Sequence, residues 1–222
     1  MTAPLGIRVE GVRKHYATPS GPVRAVDGVT LAVEPGGSVA IVGPSGCGKS
    51  TLLNLIGGLE TPMDGRVWIG DRELSGLPEP ARAGLRRHAF GLVFQSDNLL
   101  PFLTARENVA LQLALSGDGD GDGDARCDAM LAEVGLADHA DKLPDQLSAG
   151  QRQRVAVARA LIHGPGVLLA DEPTGSLDAA ASAGVVDLLL GAGRTLVVVT
   201  HDTALARRLD RTVELRDGCA RA

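Results

Sequence analysis

Val39-Ala40-Ile41-Val42-Gly43-Pro44-Ser45-Gly46-Cys47-Gly48-Lys49-Ser50-Thr51-Leu52-Leu53-Asn54-Leu55-Ile56 is the stretch that decides the fold of this chain. An apolar run, a glycine-rich turn and a second apolar run of helical character follow one another without a gap. Strand, loop and helix in that order are the context in which Gly-x-x-x-x-Gly-Lys-Ser binds phosphate. Glycine lets the backbone wrap close to a polyphosphate with its N–H groups turned inward. The N-terminus of the following helix adds partial positive charge. Lys49 is placed to reach the β- and γ-phosphates of a nucleotide, and the Ser50 hydroxyl to ligate Mg²⁺.

Outward from this loop, other apolar segments predict the remaining core. Residues 7–35 alternate apolar and polar, with Ile7, Val9, Gly11 and Val12 and then Val29, Leu31 and Val33, and read as antiparallel strands. Val67–Ile69 and Phe90–Phe94 read as further strands, and residues 50–58 as a helix closed by Gly57-Gly58. Val167–Ala170 and Leu196–Val199 are continuous apolar runs of the kind that suits parallel strands buried on both faces. Residues 104–162 read as mostly helical, with further helices at 179–190 and 203–209. The expected architecture is an α/β phosphate-loop core with a mostly parallel sheet, an antiparallel β subdomain and an inserted helical subdomain at about 96–162, all in one domain over 1–222. Gly117–Asp124, four Gly-Asp repeats, lacks the closing Glu of an EF-hand and reads as a flexible, solvated loop.

Composition narrows the function. With 222 residues, 44% of them apolar, the chain can bury a sizeable core. A formal net charge of −5 disfavours a nucleic-acid partner. No apolar run approaches the roughly 18 residues of a membrane span. Met1–Leu5 has neither the basic flank nor the apolar segment of a secretory signal. The three cysteines, Cys47, Cys127 and Cys219, have no metal-ligand spacing and fit a reduced, cytoplasmic protein. Cys47, beside Lys49 at a helix N-terminus, is expected to be a reactive thiol shielded by nucleotide.

Two further motifs carry chemistry. Val167–Glu172 is an apolar strand that delivers two carboxylates at its C-terminal end, where ligands of open α/β sheets sit. Asp171 suits Mg²⁺ held through its water shell, and Glu172 suits a general base for an attacking water. In Leu147-Ser148-Ala149-Gly150-Gln151, Ser148 and Gln151 fit a capping box, and Val155, Ala158, Leu161 and Ile162 continue it as a helical stripe. A helix capped in this way also offers N–H groups to an anion.

That last run resembles the signature of the ATP-binding-cassette (ABC) ATPases, which most often reads Leu-Ser-Gly-Gly-Gln. Here Ala149 replaces the first glycine, so either the position is not left-handed or the loop is strained. The resemblance extends over almost the whole chain and implies roles for other residues. Tyr16 would stack on adenine. Gln95 would sense Mg²⁺ and the attacking water. Ser176-Leu177-Asp178 would cross a dimer interface, and His201 would contact the γ-phosphate. ATP would bind at Gly43, Pro44, Ser45, Gly46, Cys47, Gly48, Lys49, Ser50 and Thr51, with Mg²⁺ at Ser50, Gln95 and Asp171. Ser148, Ala149, Gly150, Gln151 and Asp178 of a second, head-to-tail copy would complete the site. The finer similarity is to cassettes of the lipoprotein-release and macrolide-export group, carried by Val42–Leu59, Val93–Ser96 with Asn98–Pro101, and Ala170–Gly175. It implies an ATPase coupled to a separate permease at the cytoplasmic face of the membrane. An importer ATPase and a soluble non-transport ABC protein are the alternatives. Ser176 (usually Asn in that group), a short helical stretch at 179–194 and the Gly-Asp loop depart from the group. Asn98–Glu107 is expected to form part of the permease dock, with Leu100 and Leu103 inward and Phe102 outward.

Overall fold

Strands that read as continuous apolar runs form the buried centre of a six-stranded sheet. The computed structural model describes residues 2–19, 21–117 and 122–221. From the N-terminus these comprise β1 (Ile7–Thr18), β2 (Gly21–Val33), β3 (Ser38–Val42), α1 (Lys49–Ile56), β4 (Asp64–Ile69) and β5 (Arg72–Glu73). There follow α2 (Glu79–Ala89), β6 (Phe90–Val93), α3 (Ala105–Ser116), α4 (Gly123–Glu133) and α5 (Ala149–Leu161). The chain continues through β7 (Val167–Asp171), α6 (Ala179–Gly191), β8 (Thr195–Val199), α7 (Thr203–Ala206), β9 (Arg211–Arg216) and β10 (Cys219–Arg221).

The larger sheet has the order β10-β9-β3-β8-β7-β6, and the smaller the order β2-β1-β4-β5. In the larger sheet β6, β7, β8, β3 and β9 are parallel neighbours, and only β10 pairs antiparallel. Val39–Ile41, Val167–Ala170 and Leu196–Val199 are all buried, each such Val, Leu or Ile side chain contributing roughly 1.5–3 kcal/mol. Because these strands run in one direction, their C-terminal ends open on one edge. That edge carries the loop after β3, Gln95 after β6, Asp171 at the end of β7 with Glu172 following it, and His201 after β8.

The antiparallel sheet alternates as its sequence predicts, with one correction. Ile7 and Val9 face the core, but the register shifts between Val9 and Val12, and Gly11 takes φ +57. The bulge puts Val12, not Gly11, on the inner face. One apolar cluster joins this sheet, α1 and the larger sheet; a second lies under α6 and α7 on the opposite face. A third gathers Val109, Leu113, Cys127, Leu131, Leu136 and Val155 from α3, α4, α5 and their connections. Buried Asn108 holds the preceding segment through Leu100 and the carbonyls of Leu103 and Thr104.

Three readings change. Helix α2 was not foreseen: Pro stands in its first turn, and only Ala89 is fully buried. The helix expected at 203–209 stops at Ala206, its start capped by Asp202. The loop expected at 117–124 is shorter, since α4 already starts at Gly123; residues 118–121 of it lie outside the described residues. Among the described residues no helix is long and apolar enough to cross a membrane.

Candidate functional site

The turn between β3 and α1 needs glycine at two positions. A side chain on Gly48, which has φ +101, would bring its Cβ 1.8 Å from the Ala25 carbonyl oxygen. At Gly43 it would stand 2.1 Å from the Leu215 carbonyl oxygen. The loop is therefore seated directly on the backbone of two strands. Helix α1 starts at Gly48 with no side-chain cap. Its first amides thus remain as partners for an anion. Lys49 is buried and arches over the loop, donating to the Gly43 carbonyl at 2.9 Å and the Pro44 carbonyl at 3.0 Å.

These groups border a cavity of about 430 Å³ that brings together Tyr16, Ser45, Gly46, Gly48, Lys49, Ser50, Thr51, Gln95, Asp171 and Glu172. Burial pushes the Asp171 carboxyl above the ordinary carboxylate range; the Ser50 hydroxyl bonded to it and the Lys49 charge pull down, and Glu172 pushes up. A hydroxyl, a half-buried carboxylate and the Gln95 amide facing one cavity are a hard oxygen set, which fits Mg²⁺.

Glu172 has φ +46, a left-handed conformation that is costly for a residue with a side chain. Its surroundings hold it there. Its amide donates to the Val199 carbonyl at 2.8 Å, and its own carbonyl accepts from Gly175 at 3.1 Å. Nδ1 of His201 donates to one carboxylate oxygen at 2.8 Å, and the Thr200 hydroxyl reaches the other at 3.3 Å. The carboxylate thus stands beside the phosphate loop with its orientation determined by the end of β8. A more apolar cavity of about 590 Å³, lined by Leu177, Val186, Leu205 and His201, opens on its other side. The smaller cavity carries the uncapped amides and the buried lysine, and is the one equipped for phosphate.

The capping box read from sequence is present at α5. The Ser148 hydroxyl accepts from the Gln151 amide at 3.2 Å, and the Ser148 amide donates to Gln151 Oε1 at 2.8 Å. Ala149 is the first helical residue and has no positive φ, so its side chain brings no strain. Gly150 packs on α6, where an added Cβ would stand 2.8 Å from that of Ala181. None of Ser148, Ala149, Gly150, Gln151 or Asp178 lines the phosphate-loop cavity of its own chain. Ser148 and Ala149 are exposed, and Asp178 caps α6 through the Ala181 amide at 2.8 Å.

Cys47 requires a correction. Its thiol is buried in the apolar cluster beneath the loop and lines no part of the cavity. An accessible, nucleotide-shielded thiol is therefore not built here, and the exposed cysteine is Cys219. Phe102 is outward as expected, with 72% of its surface exposed.

Sequence reasoning passed over the side chains that hold the Gln95 segment. Gln153 donates to the Phe94 carbonyl at 3.1 Å, Arg152 to Asp97 Oδ2 at 2.9 Å, and Arg159 to the carbonyls of Asn98 and Asp97. All three lie on α5 at positions its apolar stripe leaves free, which is the one signal that could have found them.

A family model described as ABC transporter matches residues 26–175. The chain is 46% identical over 209 residues to the lipoprotein-releasing system ATP-binding protein LolD of Pseudomonas fluorescens, covering 92% of each. It is 45% identical over 221 residues to the macrolide export ATP-binding/permease protein MacB 1 of Aeromonas hydrophila, and spans 34% of that protein's length. Among solved structures, the dimeric post-hydrolysis state of the ATP-binding cassette MJ0796 bound to ADP and Pi superposes with a TM-score of 0.90 at 39% identity, covering 97% of each chain.

Proposed function

The chain belongs to the ABC transporter family, and on that premise we propose that it is an ATP-binding and hydrolysing subunit that drives a separate membrane permease through ATP-dependent, head-to-tail dimerisation. The reading extends to an exporter, or a transporter that transmits force without passing substrate through its own pore, with the subunit held at the cytoplasmic face by the permease. Residues 1–222 form one nucleotide-binding domain, with a helical subdomain at about 96–162.

One observation carries this reading. The phosphate loop, Asp171, Glu172 and Gln95 share a cavity, while the exposed start of α5 lies outside it. A second copy related by a two-fold axis supplies Ser148, Ala149 and Gly150 to the open side of that cavity, and Asp178 to the interface. The dimeric cassette among the similar structures and the name of the LolD relative support the same assignment.

In this site the α1 amides and Lys49 bind the β- and γ-phosphates, and Tyr16 stacks on the base. Ser50, Asp171 and Gln95 would hold Mg²⁺, which supplies charge neutralisation on the phosphate oxygens. Glu172 takes a proton from water as its oxygen attacks the γ-phosphorus; the bond to the β–γ bridging oxygen breaks and ADP leaves. His201 keeps the carboxylate aimed, and by family resemblance it would contact the γ-phosphate. Closure by the second copy excludes water, and loss of the γ-phosphate releases it.

Glu172→Gln tests the assignment of the base. It is expected to bind ATP as the parent chain does and to lose turnover by about 10²–10⁴-fold. Near-parental turnover contradicts it. Phe102→Glu tests the permease dock: basal ATP hydrolysis by the isolated chain stays, and permease binding weakens. Unfolding on that substitution contradicts the docking role.

A further inference from the structure

Tyr16, the only tyrosine of the chain, borders the nucleotide cavity, and a set of side chains outside that cavity holds it in place. Its hydroxyl donates to Oε2 of Glu60 at 2.5 Å. The Lys14 ammonium is 3.3 Å from the same oxygen, donates to the Thr61 carbonyl at 3.0 Å and stands 5.6 Å from the centre of the Tyr16 ring. The second carboxylate oxygen accepts from Asn54 Nδ2 of α1 at 3.3 Å, and the Glu60 amide donates to the Asn54 carbonyl at 3.2 Å.

One carboxylate thus joins two parts of the molecule that are far apart in sequence. One is Tyr16, on β1 just beyond a register irregularity between Lys14 and His15. The other is the helix that starts at the phosphate loop. Neither Lys14 nor Glu60 lines the cavity that Tyr16 borders, so both hold the ring from outside it. Burial works against ionisation of Glu60, but the hydrogen bonds from Tyr16, Asn54 and Lys14 and the Lys14 charge outweigh it and hold the carboxyl below its ordinary range. Burial first, and then the bond to Glu60, push the phenol up against a hydrogen bond with Thr51 that pulls it down, so it remains a donor.

We propose that Glu60 is a positioning residue for the nucleotide base: by fixing the Tyr16 hydroxyl and anchoring to Asn54, it keeps the aromatic stacking face at one set distance from the phosphate-binding amides of α1. This rests on the reading of Tyr16 as the base-stacking residue. A ring already locked loses less freedom when a base arrives, so the contribution is to affinity and not to the chemical step.

Equilibrium binding of ATP and of inorganic tripolyphosphate to the full chain, together with steady-state hydrolysis, tests the proposal. Tripolyphosphate uses the phosphate loop and has no base. Glu60→Ala and Tyr16→Phe share the loss of one bond; Glu60→Ala also frees Asn54 and Lys14, and Tyr16→Phe also removes the bond with Thr51. Each is expected to weaken ATP binding about three- to tenfold and raise KM by a similar factor, with kcat within about twofold and tripolyphosphate binding unchanged. The double variant is expected to lose less than the sum of the two single losses. Glu60→Gln keeps an oxygen that accepts from the hydroxyl and should stay within about twofold of the parent chain. Equal losses for ATP and tripolyphosphate, or additive losses in the double variant, overturn the proposal. Should Glu60→Ala fail to fold, Tyr16→Phe carries the same comparison. Tyr16→Ala separates the two levels of the argument. If it leaves ATP binding intact, the stacking role of Tyr16 falls and the proposal with it. If it weakens ATP binding while Glu60→Ala does not, the stacking role stands and the proposal alone falls.

Discussion

Helix α1 begins at Gly48 with no side chain on its first amides, whereas α5 begins at Ser148 with its first turn closed by Gln151. Both helices follow loops that matter to the nucleotide reading, and both could offer amides to phosphate. The uncapped start sits in a cavity of its own chain beside buried Lys49. The capped start is exposed. A helix end without a cap is incomplete until a ligand arrives; one with a cap folds fully and can wait at a surface. The difference is what the proposed dimer requires: half of the site ready to bind on its own, and the other half stable and solvent-facing on the surface.

Substitutions at the two helix starts can break this comparison. The largest effect is expected at Gly48→Ala. Its Cβ would collide with strand backbone, so the loop must shift, with ATP binding lost and stability lowered by several kcal/mol, on the order of the larger core substitutions. Gly46→Ala meets nothing within 4 Å and is expected to cost only about 1 kcal/mol for its positive φ. Thermal melts with ATP titration distinguish them, and equal behaviour at both positions would contradict the close-approach account.

Ser148→Ala comes next. Loss of the cap is expected to lower stability by about 1 kcal/mol without touching ATP binding in the monomer. An unchanged melting temperature would show that the box contributes nothing.

Asp171→Asn sharpens the comparison from the uncapped side. A carboxyl whose folded value is raised binds more protons in the folded than in the unfolded chain. Its charge therefore destabilises the ligand-free fold at pH above that raised value, and stability is regained as pH falls through it. Asp171→Asn is expected to raise the stability of the ligand-free chain at neutral pH, to flatten the rise in stability seen as pH falls through the raised carboxyl, and to abolish Mg²⁺-dependent hydrolysis. Melting across pH checks the first two, and a destabilised Asn variant would contradict them.

The smallest effect belongs to Ala149→Gly. Since Ala149 is helical, restoring the usual glycine is expected to cost up to about 1 kcal/mol and to leave hydrolysis unchanged. A gain in activity would mean that the alanine is strained after all.

How much of this was legible depended on whether a residue's reason lay near it in sequence. The phosphate loop, the three buried strands and the Ser148–Gln151 box are local patterns and stood where their patterns put them. The bulge at Gly11 was invisible because alternation alone does not say where a register slips. Helix α2 escaped because its polar positions are held by arginines on Glu79 and by the Gly58 carbonyl, which leaves no apolar stripe to read. Strand β9 offers only Val213 and Leu215 as buried positions, too short an alternation to claim. Cys47 was misjudged because the helix N-terminus argument concerns charge, whereas the direction of its side chain is set by packing against the sheet. Glu60 had no signal at all: its partners come from β1, α1 and the turn after it.

The central claim is that the site is completed by the α5 start of a second copy. Light scattering on the Glu172→Gln chain, with and without ATP, measures this directly. The account predicts a monomer without ATP and a dimer with it. It also predicts that adding Ser148→Arg leaves ATP bound to a monomer. A Ser148→Arg, Glu172→Gln chain that dimerises with ATP as fully as Glu172→Gln alone would contradict it.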